Sequence, residues 1–114
     1  MTDALKDLLA KVDAGDATRT EVEDAAIPAI GADRRFVDAG AAYNGSLDAA
    51  KALHDAVLPG WTWELGTFTQ LATVYAPGYP GDDFDAPCYD SEHKVCSRAW
   101  LIAILKALIA EASE

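Results

Sequence analysis

A chain of 114 residues carrying a net charge of -10, nineteen acids against nine Lys and Arg, is the size of one domain with a real core. That balance excludes wrapping along a nucleic-acid polymer, which needs a continuous basic face, and argues equally against an anionic membrane surface. The apolar share of 51% beside 25% charged is globular, and much of it is alanine, so closely packed helices are expected.

In chain order, Thr2 caps a first predicted helix through Asp13, with Leu5, Leu8, Leu9 and Val12 at helical spacing and Gly15 behind it. A second short helix starts near Thr18 or Thr20, carries Val22, Ala25, Ala26 and Ile27, is disrupted by Pro28 and stops at Gly31. The segment 32–45 reads as irregular and holds the adjacent pair Arg34-Arg35. Ser46 then opens a third helix with Leu47, Ala50, Leu53 and Val57 along one side, ended by Pro59-Gly60. From Trp61 to Leu65 the pattern alternates, with Trp61, Trp63 and Leu65 on one face and Thr62 and Glu64 on the other, as in a half-buried strand.

Gln70–Ala76 reads as a second strand, paired as an antiparallel hairpin with GTFT in or near the turn. A long acidic loop rich in Pro and Gly, 77–96, precedes an apolar closing helix, Ser97–Ala112, capped by Ser97. The resulting order, α-α-α-β-β-α, is α+β: a single domain over 1–114 with a small antiparallel sheet covered by helices. Residues 1–31 form its N-terminal helices and 43–114 its α-β-β-α core. Two strands alone are marginal, so the loop, the segment before Tyr43 or a second copy must complete the sheet. The last option makes a homo-oligomer the expected assembly. The N-terminus lacks a basic region followed by an apolar run, and the longest apolar run, AWLIAIL, is too short to span a bilayer. A cytoplasmic protein with its two cysteines as thiols is expected.

Three segments together resemble a known group: KDLLAKVDAGDATRTEVEDAAI, AYNGSLDAAKALHDAVLPGWTWEL and SRAWLIAILKALIAE. They are similar to small proteins encoded by phages and prophages, the group described as the phage α-β-α sandwich domain. Its members show a "Y-t-x-S-L-D-A-A" helix start, matched here from Tyr43 to Ala50, and a "P-G-W-x-W" strand, matched by Pro59-Gly60-Trp61-Thr62-Trp63. The resemblance implies fold and phage origin, and carries no assigned reaction and no catalytic residues.

Residue chemistry points to binding. No nucleophile motif, phosphate loop or Cys-His signature is present, so the expectation is a protein that is not an enzyme and uses no cofactor. Cys88, His93 and Cys96 are weak metal candidates, because Cys-x4-His-x2-Cys lacks the paired spacing of structural zinc and needs a carboxylate as fourth ligand. The bland reading is a solvated loop with one cysteine against the core. The stronger candidate is the turn Tyr43, Asn44 and Ser46 at the start of the third helix, an anion site in principle, with Arg34, Arg35 and Arg98 in reach and Trp61 and Trp63 to stack on a base. Against it stands the reading of Ser46 as a plain N-cap and of the tryptophans as core.

The function expected from these features is phage counter-defence, by binding and sequestering a small anionic host molecule such as a nucleotide immune signal. The alternatives are an acidic interaction module that inhibits a host protein, and a minor phage structural factor.

Overall fold

The computed structural model describes residues 3–31, 34–66, 71–77, 88–92 and 95–112, with Cys88, Asp90 and Glu92 described at the backbone. The elements run α1 (Asp3–Ala14), α2 (Arg19–Ile30), α3 (Arg34–Tyr43), α4 (Leu47–Val57), β1 (Thr62–Leu65), β2 (Leu71–Tyr75), β3 (Cys88–Glu92) and α5 (Cys96–Ala112). The fold is α+β, with one helix and one strand more than the sequence pattern indicates. The added helix packs mostly through small residues and the added strand lacks a β-branched run.

Helix α1 buries Leu5, Leu8 and Val12, the expected stripe, while its expected cap Thr2 lies outside the described residues. Thr18 opens α2 with a capping box: its hydroxyl accepts from Glu21 N–H at 3.2 Å, and the Glu21 carboxylate accepts from Thr18 N–H at 3.1 Å. The Thr18 backbone N–H, and after it the Thr18 side chain, hold the Glu21 carboxyl below its ordinary range. Pro28 lies inside α2, which continues to Ile30 and stops at Gly31 as expected. A proline there leaves the Asp24 carbonyl without its intrahelical N–H partner, a loss of one hydrogen bond two residues from the helix end.

The segment expected to be irregular is helix α3, and its buried face is Ala39, Gly40, Ala42 and Tyr43. Small residues there let α3 approach α2 closely: a Cβ on Gly40 would sit 2.5 Å from Glu23 Cγ. Gly45, at φ +114°, makes the turn into α4. In α4 the buried side is Ala49, Ala50, Leu53 and His54, rotated from the expected stripe, and Leu47 is left exposed.

The sheet order is β1-β2-β3, all antiparallel, so the long loop supplies the strand that completes it. Register pairs Trp63 with Val74 and Val74 with Tyr89, and pairs Leu65 with Ala72 and Ala72 with Ser91. Directly opposed residues share a face, so these six line one side of the sheet, while Thr62 and Glu64 point to the other. The expected turn after Gly66 lies outside the described residues.

Helix α5 touches α1, α3 and α4 as well as β2 and β3. Enclosure on all sides explains why its sequence is apolar all round: every residue from Ala99 to Leu105 is buried. With Leu8, Val12 and Leu53 it forms the core, each large aliphatic side chain contributing about 1.5–3 kcal/mol on burial. Ser97 is not the cap of α5. It sits inside the first turn, buried, and its hydroxyl donates to the Ala42 carbonyl at 2.6 Å.

Candidate functional site

The turn between α3 and α4 is built as a joint. Tyr43, 2% exposed, donates its hydroxyl to the Ala17 carbonyl at 2.7 Å, tying α3 to the α1–α2 connection. Arg98 reaches across from α5, and its Nε and Nη2 both donate to the Tyr43 carbonyl, at 3.0 and 2.8 Å. Its guanidinium also stacks on the Tyr43 ring, 3.9 Å from the centroid. A cation at the last carbonyl of α3 offsets the negative end of that helix. The Ser46 hydroxyl accepts from Ala49 N–H at 3.1 Å, so it caps α4, and Asp48 adds a negative charge in the first turn. Asn44 is exposed, and its backbone N–H is engaged by the Gly40 carbonyl. The Tyr43 hydroxyl, the Ser46 hydroxyl and the Arg98 guanidinium are thus each bonded to the protein itself.

A second cluster surrounds His54, which is fully buried on α4. Trp100 Nε1–H can only donate, and it does so to His54 Nδ1 at 3.3 Å. Nδ1 is therefore the acceptor nitrogen, and Nε2–H donates to the Trp61 carbonyl at 3.1 Å. Trp63 packs against Trp100 at 4.5 Å between centroids while remaining 40% exposed, and Trp61 stacks on Tyr89 at 6.1 Å. This network fastens the start of β1 to α4 and α5. Among the described residues no buried side-chain polar atom lacks a partner, so none is left aimed at a ligand.

The third feature is a groove of about 590 Å³. Its walls are aliphatic, from Leu5 of α1, Ile30 of α2, Val57 of α4 and Leu108 of α5, with Arg35 and Glu111 as its charged groups. Arg35 donates to the Ile30 carbonyl at 3.4 Å. The volume lies within the range of small-molecule sites, and the walls are of the usual apolar kind.

The predicted site residues consequently fall in three places. Tyr43, Ser46 and Arg98 meet in the joint, with Asn44 on its surface. Trp61 and Trp63 belong to the His54 network. Arg98 and Trp100 are two positions apart on α5, about 200° around it, so the two clusters occupy opposite sides. Arg35 lies in the groove, near Glu111, thirteen residues and about 20 Å along α5 from Arg98. Arg34 is exposed at the start of α3. Of the metal candidates, His93 lies outside the described residues, Cys88 is described at the backbone, and Cys96 is a half-buried free thiol. No group of three or more His, Cys, Asp or Glu able to hold a metal ion occurs among the described residues. Of the groove residues, only Arg35 was flagged from sequence, because ends of four separate helices make the walls.

Comparison of the chain with family models, curated proteins and solved structures gives no match. No helix among the described residues is long and apolar enough to cross a membrane.

Proposed function

We propose that this chain is a phage-type accessory protein that captures a small host molecule without transforming it, acting in counter-defence in the host cytoplasm. The observation that carries the capture reading is the groove of about 590 Å³ with aliphatic walls and charged groups at Arg35 and Glu111. The resemblance of Tyr43–Leu65 and of the closing helix to phage and prophage proteins supports the setting. A nucleotide immune signal is the ligand that setting suggests. The groove lining holds no aromatic ring for base stacking, which favours a molecule with an aliphatic body over a nucleotide.

Native mass spectrometry of the full chain purified from host cytoplasm tests this reading. The expected result is a co-purifying small molecule that is lost in Ala56→Trp, because Ala56 lines the groove from an exposed position and a large ring there fills it. A co-purifying mass retained by the variant overturns the groove as the site. A chain that carries no adduct and binds none of a panel of nucleotides and amphiphiles overturns capture altogether.

A further inference from the structure

Strand β1 is an edge of the sheet, and the end of the hairpin fixes which of its backbone groups face outward. Gly66 N–H donates to the Leu71 carbonyl at 2.8 Å, which makes Gly66 and Leu71 a hydrogen-bonded pair. Bonded and non-bonded pairs alternate along an antiparallel ladder. Glu64–Thr73 and Thr62–Tyr75 are therefore bonded pairs, whereas Leu65–Ala72 and Trp63–Val74 are not. The N–H and C=O of Trp63 and Leu65 thus point away from β2. Trp61 continues the alternation, and its groups are taken: its N–H donates to the Leu58 carbonyl and its carbonyl accepts from His54. Trp63 and Leu65 have no such backbone partner among the described residues. The result is a short row of open backbone groups. The Trp63 ring, 40% exposed, stands on its helix-facing side and the exposed Glu64 on the other.

The chemistry that satisfies such a row is another extended chain, and exposed edges commonly carry a charge that keeps the wrong chain away. Here Glu64 acts against a second copy. Pairing β1 with itself about Glu64 uses every open group but sets the two carboxylates directly opposite each other. Pairing it about Trp63 separates the carboxylates but brings Leu65 against Trp61, whose groups are already engaged. Each copy also carries a net charge of -10. A different chain with a cation opposite Glu64 meets neither obstacle, and among the described residues Glu64 has no ion-pair partner of its own.

We propose that β1 is a docking edge for an extended basic segment of another protein, added antiparallel, with Lys or Arg opposite Glu64 and apolar residues opposite Trp63 and Leu65. The apolar residues cover the exposed side of the Trp63 ring, and the backbone groups of Trp63 and Leu65 join the ladder. None of the groove's lining residues belongs to β1, so this edge and the capture reading stand or fall separately.

The probe is a capped synthetic peptide, TTVKVTT, titrated into the isotope-labelled full chain and followed by amide NMR. Solvent exchange is expected to slow at the Trp63 and Leu65 N–H, while Thr62 and Glu64, already bonded within the hairpin, change little. N-methylation of either valine, whose N–H faces β1, should remove binding, and N-methylation of the lysine, whose N–H faces away, should leave it. TTVEVTT should bind at least about threefold more weakly, and Glu64→Lys should reverse the preference between the two peptides. Unchanged exchange at Trp63 and Leu65 on saturation overturns the edge as the site. Equal affinity for the two peptides, or a preference that survives Glu64→Lys, overturns the basic partner. A chain that is dimeric alone by native mass spectrometry, with the Trp63 and Leu65 amides already protected, gives the edge to a second copy and overturns a different partner. No saturable binding of either peptide overturns the proposal.

Discussion

Replacing Arg98 by methionine keeps a long apolar stem and removes the guanidinium that joins α5 to α3. Two charge-assisted hydrogen bonds to the Tyr43 carbonyl are lost, at 3.0 and 2.8 Å, along with the stacking 3.9 Å from the ring centroid. A hydrogen bond from a charged donor contributes about 1.5–3 kcal/mol, and a partly desolvated cation–π contact about 0.5–2 kcal/mol. The two bonds share one acceptor and one donor group, so they do not add fully. The expected loss is about 2–4 kcal/mol, a large share of the ~5–15 kcal/mol available to a domain of this kind. For a chain of this length that is about 8–16 °C in Tm. Urea unfolding followed by tryptophan fluorescence and circular dichroism measures it directly. Arg98→Lys, which keeps the charge without the paired donors, should lie about midway. A loss below about 0.5 kcal/mol in Arg98→Met would refute the structural role assigned to this residue. So would normal stability combined with lost ligand binding, since Arg98 would then serve a ligand.

Three further outcomes follow from the packing. Gly40→Ala should fail to give the gain of about 1 kcal/mol that alanine normally brings to a helix, because its Cβ would meet Glu23 Cγ at 2.5 Å; adding Glu23→Ala should restore the gain, with a coupling of at least about 1 kcal/mol in a double-mutant cycle. Trp100→Phe should cost about 1–3 kcal/mol in urea unfolding by leaving His54 Nδ1 buried without its donor, and His54→Leu should cost at least as much by orphaning the Trp100 indole and the Trp61 carbonyl. Because the Glu21 carboxyl titrates below its ordinary range in the folded chain, its contribution to the α2 cap is fully present above the unfolded value and disappears as pH falls through the folded one. Carboxyl titration by NMR should show that midpoint rising toward the ordinary value in Thr18→Ala, and an unmoved midpoint would contradict the capping box.

The parts legible in the sequence are those whose signal is local. Ser46 and the Pro59-Gly60 stop bracket α4, and alternation from Trp61 to Leu65 marks the strand, because cap chemistry and period two are written within a few residues. Helix α3 is faint in sequence for a physical reason: Phe36 and Tyr43 keep helical spacing, but between them the packed face is Ala39 and Gly40, small residues that allow close approach and read as turn or loop. Strand β3, CYDSE, turns Tyr89 and Ser91 toward the helices without the β-branched run that marks a strand.

The burial of His54 is not legible because an Ala-rich helix hides which side is covered, and its partners, Trp61 and Trp100, are seven and 46 residues away. In sequence the candidate turn is a helix start with cations in reach, open equally to an anion and to a plain N-cap. Its residues do gather, but Arg98 answers Tyr43 and Ser46 answers Ala49, pairings that only tertiary structure reveals. The groove has no sequence signature, since Leu5, Ile30, Val57 and Leu108 come from four helices and each alone is an ordinary apolar residue.

The most direct test of capture in the groove is amide chemical-shift mapping of the full chain titrated with octylammonium, octanoate and nucleotides. The account predicts shifts concentrated at Leu5, Ile30, Val57 and Leu108 and abolished by Ala56→Trp. Shifts that gather instead at Tyr43, Ser46 and Arg98, or no saturable shifts with any probe, would contradict it.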